Sequence, residues 1–205
     1  MGGFAMADGT VPLDGGAGIV VDGTPCALTT IGHDNTGELV GFTAASCGAP
    51  GSQVTAVGGA NIGSVVADED SPKYAVIKFD PSQVIPPANF AGLRSTASAP
   101  TPTSGNRHAL TARLLAISAA RSPLSLDSDQ AEIWPGATLQ PGDEGRPVTA
   151  DNLLIGITYR RWVTTPDLLY RGGNQPEAHV VLSCAILADV NAKGGPGAGF
   201  SPVPA

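Results

Sequence analysis

The sequence predicts an all-β protein in which two sets of short strands are followed by one C-terminal α-helix. Three observations predict it. Gly (27) and Pro (18) supply more than a fifth of the 205 residues, and charged residues only 14%. The apolar residues, 42% of the chain, fall in short runs bounded by Gly, Pro, Asn and Asp, as strands joined by tight turns require. The best helix-forming stretch, 185–193, comes late and is stopped by Gly194-Gly195.

Taken in order, residues 1–16 are Gly-rich and polar and read as a flexible arm. Residues 17–85 read as a first β-barrel. Strands are predicted at 17–21, 26–31, 38–43, 53–57, 61–66 and 74–79. Asp22-Gly23, His33–Gly37, Gly48–Ser52 and Asp80-Pro81 supply turn chemistry between or after them. That spacing suits a small barrel. Residues 86–108 are rich in Pro, Ser, Thr and Ala yet carry Phe90 and Leu93, and read as a crossover. Residues 109–183 read as a second barrel, with strands at 131–134 and 153–159, a strand candidate at 109–117 whose Ala/Leu content also permits a helix, and 177–182 as the last strand or the lead-in to the helix. Residues 184–194 form the helix and 195–205 a tail.

The net charge is −7, with no Lys/Arg stripe, which argues against a nucleic-acid partner. No run approaches the ~20 apolar residues of a membrane span. Met1–Ala7 has neither the basic nor the apolar region of a signal peptide. The three cysteines, Cys26, Cys47 and Cys184, include no C-x-x-C pair, so no metal site is expected, and no cofactor. Cys184 lies in the apolar run 180–186 and reads as a buried small hydrophobe.

Three motifs carry the functional reading. They are Thr43-Ala44-Ala45-Ser46-Cys47-Gly48, Lys73-Tyr74-Ala75-Val76-Ile77 and Gly142-Asp143-Glu144-Gly145-Arg146-Pro147-Val148. In this order they resemble the chymotrypsin-like serine proteases, most closely the secreted bacterial branch that includes streptogrisin and alpha-lytic protease. That family places its His in Thr-Ala-Ala-His-Cys-Gly, its Asp at the head of Asp-X-Ala-aliphatic-aliphatic, and its nucleophile in Gly-Asp-Ser-Gly-Gly-Pro-Val. The resemblance spans 17–193. It implies two six-stranded antiparallel barrels and a Cys26–Cys47 disulfide. The disulfide implies an oxidising compartment, so a secreted or cell-envelope location is expected.

Mapped residue by residue, the resemblance makes Ser46, Lys73 and Glu144 the degenerate triad positions. The amides of Gly142 and Glu144 become a vestigial oxyanion hole, and Tyr159, Arg160 and Arg161 a vestigial cleft whose bulk crowds a bound peptide. Asp143 is expected to meet a cation, with Arg94, Arg107 and Arg113 as candidates.

The triad reaction needs a hydroxyl nucleophile, an imidazole base and a carboxylate that orients it. Glu144 has no hydroxyl, Ser46 no imidazole, and Lys73 carries the wrong charge, so no catalytic residue is expected. A Ser46/Lys73 dyad would stand on the base side of the cleft, and Glu144 as a carboxylate catalyst lacks a visible second acid. His33, His108 and His179 read as surface or loop histidines. The expected function is therefore binding, with a protein or peptide in the cleft. The alternatives are a structural or decoy protein with a closed cleft, and a hydrolase with relocated residues. Glu144 is expected to turn toward Arg160, Arg161 or Lys73, because an unpaired buried carboxylate costs several kcal/mol.

Overall fold

A computed structural model describes residues 10–86, 125–126, 130–132, 139–150, 153–164 and 174–203. The strand candidate at 109–117, His108, and the candidates Arg94, Arg107 and Arg113 lie outside the described residues.

The N-terminal half is an eight-stranded antiparallel sheet. Its strands are β2 (Gly18–Val21), β3 (Thr24–Ala27), β4 (Thr30–His33), β5 (Leu39–Thr43), β6 (Gln53–Ala56), β7 (Asn61–Asp70), β8 (Lys73–Phe79) and β15 (Ser201–Pro202). Their order is β15-β4-β5-β8-β7-β6-β2-β3. The sequence suggests one strand over 26–31, but the backbone changes partners at its middle. The Leu28 amide donates to Ala17 O at 2.8 Å, whereas the Thr29 amide donates to Phe42 O at 2.7 Å. The run therefore bends into β3 and β4, which lie near opposite ends of the strand order. The sheet curls back on itself and its ends meet through the buried Leu28-Thr29 step, not through a ladder. Alternating side chains, among them Ile19, Val21, Ile31, Phe42, Val54, Ile62, Ile77 and Phe79, fill the interior.

The second sheet has the order β10-β11-β14-β13-β12. It comprises β10 (Ser125–Leu126), β11 (Gln130–Glu132), β12 (Pro147–Ala150), β13 (Leu153–Thr164) and β14 (Asn174–Leu182). Helix α1 (Ser183–Lys193) follows β14 directly. Ile157, Tyr159, Val181, Ile186 and Val190 join the same apolar cluster as the first sheet's interior, so one core runs through both halves. The class is all-β with a C-terminal helix; in place of two six-stranded barrels the described residues form an eight-stranded and a five-stranded sheet, and among them neither sheet is closed by a ladder.

Both chain ends are more structured than their composition suggests. Within the expected flexible arm, β1 (Val11–Pro12) pairs in parallel with β9 (Val84–Ile85), and Leu13 is buried. Residues 195–203, read as tail, form a strap. It carries β15 onto β4 and buries Phe200 edge-on against Phe42, with ring centroids 5.0 Å apart. Gly32 is the position that lets the strap cross, since a Cβ there would overlap the Ser201 carbonyl. No helix among the described residues is long and apolar enough to cross a membrane.

Candidate functional site

The register of the first sheet gathers two of the three motifs. Thr43, the last residue of β5, pairs with Ala75 of the antiparallel β8. The 3-10 turn Ala45–Cys47 beyond β5 and Lys73 at the start of β8 are thus at one end of the sheet. Ser46 is exposed on that turn, and Cys47 beside it is buried and disulfide-bonded to Cys26 of β3. Lys73 Nζ lies 3.2 Å from Asp70 Oδ1 across the β7–β8 turn, so its charge partner is Asp70 and not Glu144.

The third motif docks on both sheets at once. The Glu144 carbonyl accepts from the Ala27 amide at 2.8 Å and stands 3.9 Å from Cys47 Sγ. The Gly145 carbonyl accepts from Thr29 Oγ1 at 2.6 Å, and the Gly145 amide donates to Thr158 O at 2.8 Å. Thr158 Oγ1 donates to Asp143 O at 2.6 Å. Gly145 has φ +89°, and a Cβ there would overlap Ala27 O and Thr43 Oγ1. Only glycine combines that backbone with that approach. The loop Gly142–Val148 is thereby clamped between β3 and β13, beside the disulfide.

Within the loop, Arg146 Nε meets Asp143 Oδ1 at 2.7 Å, and the Gln140 amide donates to Asp143 Oδ2 at 2.9 Å. The described cation at Asp143 is therefore this local Arg146, three residues along the chain, which was not among the candidates for Asp143. Glu144 faces Arg160, with Oε1 3.7 Å from Nε, and their side chains are 14% and 28% exposed. Arg160 Nη2 also donates to Leu139 O at 3.4 Å. Gly142 has φ +90°, and neither its amide nor that of Glu144 donates to an acceptor among the described residues.

The three residues of the expected cleft diverge. Tyr159 is 1% exposed and packs on His179 with ring centroids 5.6 Å apart. Tyr159 thus belongs to the core. Arg160 turns to Glu144, Arg161 is exposed, and Trp162 beyond it is 61% exposed. His179 is 2% exposed on β14, opposite Tyr159, which corrects its reading as a surface or loop histidine; His33 is exposed at the end of β4. Cys184 is half-buried at the first turn of α1, against the cluster of Val148, Val180 and Leu182. Among the described residues no group of three or more His, Cys, Asp or Glu could hold a metal.

Two polar clusters escaped the sequence reading because their members are far apart in the chain. Tyr74 OH donates to Asp189 Oδ2 at 2.8 Å, and Lys193 Nζ reaches Asp189 at 2.8 Å and Glu69 at 2.5 Å, tying α1 to β7 and β8. Burial, then the Asp189 hydrogen bond and the charges of Asp189 and Glu69, push the Tyr74 phenol above its usual range. Asp34 gathers a second network. Its Oδ1 accepts from the Thr36 amide, Thr36 Oγ1 and the Glu38 amide, and its Oδ2 from the Gly197 amide of the strap at 3.3 Å. Burial raises the Asp34 carboxyl, but the bonds from Thr36, Gly197 and Glu38 outweigh it and hold the group below the usual range.

No protein-family model and no curated protein matches the chain. Solved structures do. A Nocardiopsis protease superposes with a TM-score of 0.54 at 14% identity, over 89% of this chain and 96% of its own. Thermobifida fusca protease A gives 0.55 at 13%, over 95% and 100%. A glutamic acid-specific serine protease gives 0.50 at 15%, over 89% and 98%. Two curled sheets, a disulfide-anchored turn and a loop clamped between them lead to one conclusion: this chain has the fold of the bacterial chymotrypsin-like serine proteases.

Proposed function

We propose that this is a non-catalytic protein on a protease fold, which binds a protein or peptide in the vestigial cleft outside the cell. The observation that carries the reading is Glu144. It occupies the centre of the Gly-Asp-X-Gly loop, where the chemistry of the fold needs a nucleophilic hydroxyl. Its carboxylate is turned to Arg160 at 3.7 Å. Ser46 supplies no base on the neighbouring turn, and Lys73 at the third position is held by Asp70.

Binding is supported by the clamped loop, where the Gly142 and Glu144 amides donate to no acceptor among the described residues and so offer donors to a peptide backbone. A disulfide at Cys26–Cys47 fits an extracellular location.

Two measurements test the reading. The unaltered protein is expected to show no turnover of peptide substrates and no labelling by a fluorophosphonate; either activity would refute it. The triple variant Ser46→His, Lys73→Asp, Glu144→Ser is expected to gain peptidase activity if the cleft is open. The buried Tyr159 favours a second reading, a closed cleft with a structural role. Under it the triple variant stays silent and no peptide binds.

A further inference from the structure

The C-terminal strap is held by the body of the protein far more than by the turn that connects it to α1. In that turn Gly194 and Gly195 have φ +69° and +94°, and a Cβ at either would meet nothing within 4 Å. Contact begins beyond them. A Cβ at Gly197 would lie 3.3 Å from the Phe42 ring, and one at Gly199 would lie 2.8 Å from Asn35 Cβ. The Gly197 amide donates to Asp34, the Gly199 amide to Asn191 of α1 and the Val203 amide to Ile31 O, while Ala198 O accepts from the Asn35 amide. Ser201 and Pro202 pair with His33 and Gly32 of β4, and Phe200 is buried on Phe42. Among the described backbone bonds, one alone closes the connecting turn on the strap, from the Ala198 amide to Gly195 O.

Asp34, Asn35, Phe42, Asn191 and β4 are the same in every copy of the chain. A strap reaching in from a second copy would therefore regain each of those contacts and lose the Ala198–Gly195 bond. It would also release Gly194 and Gly195 from positive φ, since a connection that runs on to another molecule need not turn back. Without a strap, β4 is a bare sheet edge with unpaired N–H and C=O groups, which is a template for another strand. Exchange of an identical element between copies is a low-cost route to a dimer, and a short, strained connection favours it.

We propose that the strap is exchangeable, so that the β4 edge of one chain takes the strap of a second copy and the two form a reciprocal dimer. The receiving surface is residues 32–35 with Phe42 and Asn191, and the segment it takes is residues 197–203. At low concentration the tethered strap wins, because a short connection gives it an effective concentration of about 1 mM. Near and above that concentration the exchanged form takes over.

The test refolds the whole chain from urea at about 1 µM and at about 1 mM and reads its mass by light scattering. Monomer is expected at the first and dimer at the second. Gly194→Ala with Gly195→Ala strains the closed turn alone and is expected to lower the half-dimer concentration by at least about tenfold. Both forms make the Val203 amide bond, so its protection from hydrogen exchange is expected to persist in this variant. The contact itself is read by refolding a His33→Cys chain together with a Ser201→Cys chain. These residues face each other in the β15–β4 ladder and both are exposed, so a disulfide joins an exchanged pair. Val57, 75% exposed and outside the strap, gives the background when a Val57→Cys chain replaces the Ser201→Cys chain. Dimer in the unaltered chain or the Ala variant, cross-linked above that background, supports the inference. Monomer at both concentrations in both proteins, cross-linking no higher than background, or loss of Val203 protection in the variant would overturn it.

Discussion

Gly145 separates what packing demands of the Gly142–Val148 loop from what it leaves open. Its positive φ and its contact with Ala27 O and Thr43 Oγ1 are demands of packing, independent of any reaction. Glu144, by contrast, is constrained through its carbonyl, which Ala27 holds, while its side chain answers to Arg160. The frame and the centre of the motif therefore answer to different physical requirements. Gly145→Ala is expected to destabilise the fold by about 2–4 kcal/mol through backbone strain and lost docking, measured by urea denaturation. Wild-type stability in that variant would show that the loop is not clamped. Arg146 makes a related point. By pairing with Asp143 inside the loop, it makes the loop's shape independent of a distant cation.

At the scale of elements, the C-terminal strap is the feature that composition hid. Residues 194–199 contain four glycines and a proline, which read as tail, yet the segment is fastened at several points. The Asn35 amide bonds Ala198 O, the Gly199 amide bonds Asn191 Oδ1, and Asp34 receives Gly197. The glycines make a close crossing possible, and the bonds to Asn35 and Asp34 come from residues more than 150 positions earlier, so no local pattern announces it. Asp34 gives the strap a pH dependence. Its folded carboxyl titrates below its unfolded value, so its contribution is full above the ordinary carboxylate range and is lost as pH falls through the lowered value. Hydrogen exchange at Gly197 and in β15 is expected to accelerate below about pH 4, and Asp34→Asn is expected to abolish that acid step. An unchanged acid step in the variant would assign the effect to other groups. β3 and β4 teach the same lesson as the strap. Residues 26–31 are legible as β-forming, but the bend at Leu28-Thr29 comes from a change of hydrogen-bond partner that only the assembled sheet provides.

Across the whole molecule, the two sheets are joined by a shared core and by a hinge of bonds around the disulfide. Cys26 and Cys47 are 21 residues apart, and closing that loop stabilises the fold by about 3 kcal/mol on the chain-entropy model. Because Cys26 adjoins Ala27, which holds Glu144, and Cys47 follows Ser46, the disulfide braces both halves of the candidate site. Reduction is expected to lower the urea midpoint by the equivalent of about 2–4 kcal/mol and to weaken peptide binding in parallel. A stability loss with binding intact would separate the disulfide from the site.

The sequence by itself determined the all-β class, the late helix and the three motifs in their order. Turn-forming residues, apolar runs and the Gly-Asp-X-Gly-X-Pro frame act over a few neighbouring positions, so they are legible along the chain. Only the tertiary structure decided that Glu144 faces Arg160 across a gap, that Asp143 takes Arg146, that Tyr159 and His179 are core, and that the tail is a strap. Each of these depends on where the curling of one sheet places it against the other. That is set by long-range hydrogen bonding and burial, which no short stretch of sequence encodes.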